Sequence, residues 1–252
     1  MLLRRITQHV KDQNWFAVLI DFLIVVVGVF VGLQVQDFAN ERQRQKTETS
    51  YLKRLHAEVE HLSIQRANYD ATREDFSKKL NSAMDILADP TSDVLISDDL
   101  CTAMVASAHT TVPPAALPTI DEMLSAGKLD QIFSESIRTD ILNYTQQAKR
   151  AEHLVDAISD NNVEMARRYP EIITLHYNKH SDTVVDGIWI DPVCHAEKMR
   201  SDKAFMNDMI NNSYMYQVYT LRAVVPVSES LAQLHQTLDE ILQLYHHSTE
   251  NN

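Results

Sequence analysis

Glycine is scarce in this chain: there are 4 in 252 residues, and two of them, Gly28 and Gly32, fall inside one apolar run. Sheet proteins turn on glycine-rich loops at short intervals, so this supply argues against a sandwich or barrel and makes helix the default. Cysteine is confined to Cys101 and Cys194, which excludes a disulfide-dense scaffold and any CxxC pair. No nucleophile elbow, phosphate-binding loop or HExxH occurs, and no enzymatic activity is expected. Basic residues are also in deficit, 23 Lys and Arg against 35 Asp and Glu, for a net charge of -12. The first 36 residues carry Arg4, Arg5 and Lys11 against Asp12 and Asp21, so the acidity lies beyond them. Such a domain repels phosphate backbones and anionic headgroups, and nucleic acid is not an expected partner.

What the chain does have is the run WFAVLIDFLIVVVGVFVGLQVQ from Trp15 to Gln36. About 20 nearly uninterrupted apolar residues match one crossing of a hydrocarbon core roughly 30 Å thick. The run is too long for a signal peptide and passes into LQVQDFANERQ without a small-x-small cleavage site, so it reads as a retained transmembrane helix. Arg4, Arg5 and Lys11 on one side are answered by Arg42, Arg44 and Lys46 on the other. Long domains translocate largely regardless of charge while a short basic N-terminus stays inside. The expected order is a cytoplasmic stub over 1–14, a transmembrane helix over 15–36 and an extracytoplasmic domain over 37–252.

Beyond the run, Leu52, Leu55, Val59, Leu62, Arg66, Tyr69, Arg73, Phe76, Leu80, Ala83 and Leu87 recur in steps of three and four, the seam of a long helix in a supercoiled bundle. No proline or glycine interrupts it before Pro90, so it is expected to continue from the anchor as one helix. Arginine on a seam marks either a bundle edge or an acidic partner; for Arg66 and Arg73 the edge is the expected placement. Asp98 can cap a short helix through Cys101 to about Ala108. TTVPPAALP reads as an extended connector. Thr119 and Glu122 have the spacing of a capping box for a helix ending at Gly127. A second seam runs from Ile137 to Met165, and a third helical region from Ser201 to about His247 uses Leu221, Leu231, Leu234, Leu238, Ile241 and Tyr245, with a kink at Pro226. Between them Ile172 to Pro192 lacks a helical period and reads as a loop with one short strand. The fold class expected is all-α: an N-terminal transmembrane helix continuing into an antiparallel bundle of long helices.

The stretch IDFLIVVVGVFVGLQVQDFANERQ, followed by SYLKRLHAEVE and TIDEMLSAGKLDQI, resembles an uncharacterised bacterial family of N-terminally anchored single-pass proteins, whose anchor reads acidic residue, V-x-x-G, L-Q, then N-E-R. The likeness covers the anchor, the first helix and the short helix at 119–127. It departs at Phe38, where that family has tryptophan, and at Gly32, where it often has alanine. It implies a bacterial inner-membrane protein with its C-terminal domain in the periplasm, and supplies no catalytic residues.

At 100° per residue Asp21, Gly28 and Gly32 fall within about 20° of one line down the helix, with Gln36 more loosely aligned. An ionised carboxylate near a bilayer centre costs on the order of 3 kcal/mol. Asp21 is therefore read either as hydrated near the interface, or as hydrogen-bonded across a helix pair beside the two small residues, or as a proton carrier. LIDFLIVVVGVFV looks like the single anchor of proton-motive-force transducer subunits, and that is the alternative function. The leading expectation is a membrane-anchored interaction or sensing module whose partners are the bilayer and either a second copy or another membrane protein. Cys101 and Cys194 read equally as one long-range disulfide or as two buried thiols. His176 and His180 have an i, i+4 spacing near Cys194, His195 and Glu197, but no third ligand is fixed in spacing. No metal and no cofactor is expected there.

Overall fold

The computed structural model describes residues 15–89, 91–177 and 190–244. The expected stub over 1–14 lies outside these residues, as do His180, Gly187, Trp189, Tyr245 and His247. The chain is predominantly helical and divides into two units, Met1–Tyr51 and Leu52–Asn252. Helix α1 spans Trp15–Ala88, 74 residues without a break. That continuity follows from the absence of a breaker between the apolar run and Pro90, a residue that bars helical geometry at Asp89.

Within the second unit, α1 lays Leu52, Leu55, Val59, Leu62, Leu80, Ala83 and Leu87 into the core. After α2 (Asp98–Ala106), α3 (Pro118–Ser125) and a 3-10 turn (Leu129–Gln131), helix α4 runs over Glu135–Ser159 and buries Ile137, Ile141, Tyr144, Ala151, Val155 and Ile158. A short α5 (Met165–Arg168) leads into strand β1 (Ile173–Tyr177), which pairs antiparallel with β2 (Ile190–Cys194). Then come α6 (Ala196–Ser201), α7 (Lys203–Tyr219), a π-helical turn (Thr220–Val224) and α8 (Val225–Leu242). Hydrogen bonds tie α1 to this last region at His56 to Asp239, Arg66 to Ser228 and Asn81 to Gln217. Position thus rises on α1 as it falls on α7 and α8, so this pair of segments runs in opposite senses.

Several local expectations are corrected. Ser97, not Asp98, caps α2, its hydroxyl accepting from the Leu100 N–H at 3.4 Å. Thr119 and Glu122 form no capping box. The Thr119 N–H donates instead to Glu58 on α1 at 2.9 Å, and Glu122 pairs with Arg54. A carboxylate from another helix thus meets the positive end of α3, where no local side chain makes a capping hydrogen bond. The end of α3 is a Schellman turn: Gly127 has φ +63°, Gly127 N–H donates to the Leu124 carbonyl at 3.3 Å, and Lys128 N–H to Met123 at 2.8 Å.

The second seam does not reach Met165 in one helix, because α4 stops at Ser159. Asn212 of α7, fully buried, accepts from the Val163 N–H at 3.0 Å and donates to the Val163 carbonyl at 2.7 Å, so its amide replaces the helical partners of that residue. The segment after Ile172 contributes two strands rather than one, and Pro192 sits opposite Leu175 in their register. Pro226 does not merely kink a helix; the turn before it is π-helical, with the Val225 N–H bonded to the Thr220 carbonyl. Leu221 and Ile241 leave the expected seam for solvent, and Ala223, Val224 and Val227 take the buried positions.

The connector at 109–117 is pinned by tyrosine hydroxyls. Tyr69 and Tyr219 donate to the Thr111 carbonyl at 2.7 and 2.9 Å, and Tyr144 to Ala115 at 2.7 Å. A stretch with two adjacent prolines cannot supply ladder hydrogen bonds of its own, so side chains from the long helices satisfy its carbonyls.

Candidate functional site

In the first unit, α1 carries the apolar run. None of the residues in an 18-residue window of mean hydropathy 2.0 is buried, and by length and composition this is the one helix able to cross a membrane among the described residues. Phe22, Leu23, Ile24, Val25, Phe30 and Leu33 are each more than half exposed. Gly28 and Gly32 are helical, and a Cβ added at either would meet nothing within 4 Å. Gln36 is exposed, and the side chain of Asp21 lies outside the described residues. Two residues beyond Gln36, the Phe38 ring carries the Arg42 guanidinium 4.3 Å from its centroid.

In the second unit, Cys101 on α2 and Cys194 at the end of β2 form a disulfide, with Cα atoms 5.7 Å apart across 93 residues of sequence. Cys194 is thereby removed as a metal ligand. His176 and His195 are exposed, so the histidines that the sequence drew attention to do not converge among the described residues.

Two constellations were not anticipated. The first surrounds Arg66, which lies only 2 % exposed instead of at a bundle edge. Its Nη2 donates to the Val224 carbonyl at 2.9 Å and pairs with Asp70 at 2.7 Å, while its Nε donates to Ser228 Oγ at 3.1 Å. The Ser228 hydroxyl donates in turn to Asp70. Burial lowers the pKa of Arg66 from its ordinary value and the Asp70 carboxylate opposes this, leaving the guanidinium charged. Arg73 stacks over Tyr69 at 4.8 Å and lines, with Asp70, Glu74, Lys78 and Glu229, a groove of about 350 Å³ beside the π-helical turn. Asp70 is a local i, i+4 partner on α1, whereas Ser228 and the Val224 carbonyl come from α8 and the turn before it, a pairing no local pattern records.

Burial also pushes the tyrosines of this region up: Tyr144 and Tyr219 well above their ordinary range, and Tyr216 to about 12. A phenol whose folded pKa is raised contributes stability in full below its unfolded value near 10 and loses it as pH climbs through the folded value. Alkaline denaturation is therefore expected to begin above about pH 10, with Tyr216→Phe removing about 2 to 3 kcal/mol of that pH dependence between about pH 10 and 12. Denaturant midpoints measured across this range check it; identical slopes in the two proteins would refute it.

The second constellation is a histidine and carboxylate cluster. His56 and Glu60 lie one turn apart on α1, as do His235 and Asp239 on α8. One ligating atom from each of His56, Glu60 and His235 falls within 4.8 Å of the others. His56 Nε2 stands 2.8 Å from Asp239 Oδ1, His56 Nδ1 3.6 Å from Glu60 Oε2, and His235 Nε2 3.7 Å from Asp239 Oδ1. The rings of the two histidines are 5.2 Å apart. HAEVE and HQTLD each place a histidine four residues before a carboxylate, and this repeated spacing is the signal that could have found the cluster. Comparisons with protein-family models, with curated proteins and with solved structures find no match to this chain.

Proposed function

We propose that this protein is a single-pass, membrane-anchored interaction or sensing module, with the anchor at residues 15–36 and an antiparallel helical bundle outside the cytoplasm, and that it self-associates or joins a membrane complex through the face of Asp21, Gly28, Gly32 and Gln36. The observation that carries this reading is the wholly uncovered apolar stretch of α1. Contiguous apolar surface of that extent is rare on a protein surrounded by water and marks a membrane or protein interface. The disulfide supports placement of the second unit in an oxidising compartment. Small residues along one line of an otherwise bulky helix let two backbones approach closely.

The tests are direct. The full chain is expected to stay in the membrane fraction after alkaline carbonate extraction, and a reporter active only outside the cytoplasm is expected to work when fused after Asn252. Activity from a cytoplasm-only reporter would overturn the orientation. Because a Cβ added at Gly28 or Gly32 finds nothing within 4 Å beyond its own helix backbone, Gly28→Ile and Gly32→Ile probe contacts between chains. Each is expected to reduce association at least tenfold in a membrane two-hybrid assay, while Val29→Ile leaves it unchanged. Full association in both glycine variants would place the pair against lipid and refute the interface.

A further inference from the structure

We infer that His56, Glu60 and His235 bind one divalent transition-metal ion of the zinc class, and that Asp239 orients His56 for it. The donor set is two imidazoles and a carboxylate, which suits borderline ions such as zinc over the hard, all-oxygen preference of magnesium or calcium. Metal bonds of about 2.0 to 2.2 Å put tetrahedral ligand atoms roughly 3.4 Å apart. The three atoms here lie within 4.8 Å of one another, so closure asks for side-chain movements of about 1 Å and no movement of the helices. Glu60, with a side chain 47 % exposed, has the freedom to make that movement and leaves a solvent-facing fourth position for water.

The scaffold beneath is rigid. Leu55 and Val59 on α1 and Leu234 and Leu238 on α8 are buried on either side of the ligands, so the donors project from packed helices rather than from a loop. His56 is itself buried, and its Nε2 sits 2.8 Å from Asp239 Oδ1 while its Nδ1 faces Glu60. That is the arrangement in which a ligating histidine donates its second ring N–H to a carboxylate, which fixes the tautomer and raises the basicity of the ligating nitrogen. Bound metal would join His56 and Glu60 of α1 to His235 and clamp α1 to α8.

The test uses the full chain purified without a histidine tag, stripped with chelator and titrated with Zn²⁺ calorimetrically and with Co²⁺ by visible absorption. One equivalent is expected, with cobalt bands of tetrahedral intensity. Glu60→Gln and His235→Gln are each expected to weaken zinc binding at least tenfold. Glu60 is exposed, so its substitution leaves folding intact even if His56→Ala does not fold. Asp239→Asn is expected to weaken binding tenfold to a hundredfold while keeping one equivalent per chain, the mark of a positioning residue. His176→Ala, His195→Ala and the pair His246→Ala and His247→Ala are expected to change nothing. Absence of stoichiometric uptake would overturn the inference. So would uptake that survives Glu60→Gln and His235→Gln, or that is lost with the His176, His195 or His246 and His247 substitutions instead.

Discussion

Reduction of the Cys101–Cys194 bond is expected to lower the stability of the Leu52–Asn252 unit by about 4 to 5 kcal/mol. The bridge closes a loop across 93 residues, and in the chain-entropy model a loop of that order restricts the unfolded ensemble by about this amount. For a unit of this size the corresponding fall in Tm is roughly 10 to 20 °C. The loss should begin locally, because β2 is one edge of a two-stranded sheet and the bond fastens its end to α2. A lone hairpin is marginal in water. Cys101→Ser and Cys194→Ser are each expected to reproduce the fall seen with reductant, and limited proteolysis is expected to cut near β1 and β2 before the long helices. Two freely alkylated thiols in the native protein, or a Tm unmoved by reductant, would refute the prediction.

Arg66→Ala is the second large effect, expected to cost about 3 to 5 kcal/mol. The substitution leaves Asp70 without this cation and takes the guanidinium donor from the Val224 carbonyl and the Ser228 hydroxyl, all in a region the guanidinium itself fills. Uncompensated buried polar groups lose their hydration without recovering it, which is why removing one partner is worse than never having built the pair. Asp70→Asn keeps a hydrogen-bond acceptor and is expected to cost less. The two substitutions combined should cost less than their sum, since they share one network. Urea denaturation of the four proteins measures this cycle. A loss below about 1 kcal/mol for Arg66→Ala would show that the side chain reaches solvent and that the edge placement was right after all.

The π-helical turn gives the same arginine a structural meaning. Pro226 carries no N–H, so a carbonyl one turn earlier goes without its helical partner, and the backbone responds by widening the turn over Thr220–Val224. The Val224 carbonyl, where this turn passes into α8, accepts from Arg66. The sequence placed Arg66 on the seam correctly by periodicity. It misjudged the side chain's surroundings, because two of its acceptors, Ser228 and the Val224 carbonyl, come from some 160 positions away and only Asp70 is local.

The histidine cluster was missed for a related reason. HYNKH places two histidines four apart in one segment, whereas the two H-x-x-x-carboxylate pairs at 56–60 and 235–239 lie far apart in the chain. Each pair alone is an ordinary surface pattern on a helix. Only their meeting across α1 and α8 makes a donor set.

By itself the sequence determined the features that depend on neighbours along the chain: the helical composition, the uninterrupted α1, the apolar run with its line of Asp21, Gly28 and Gly32, the glycine that ends α3, and the seam residues of α1 and α4. These follow from backbone preference and from a repeat of apolar residues, which act within one or two turns. Tertiary structure alone decided what depends on partners brought from far away. That includes the Glu58 carboxylate on the α3 N-terminus, the Asn212 amide that replaces the helix at Val163, the pairing of β1 with β2, the choice between disulfide and free thiols, the burial of Arg66, and the convergence of His56 with His235. Hydrogen bonds and ion pairs are short-ranged and indifferent to sequence separation, so a chain reveals which residues could make them but not which it brings together.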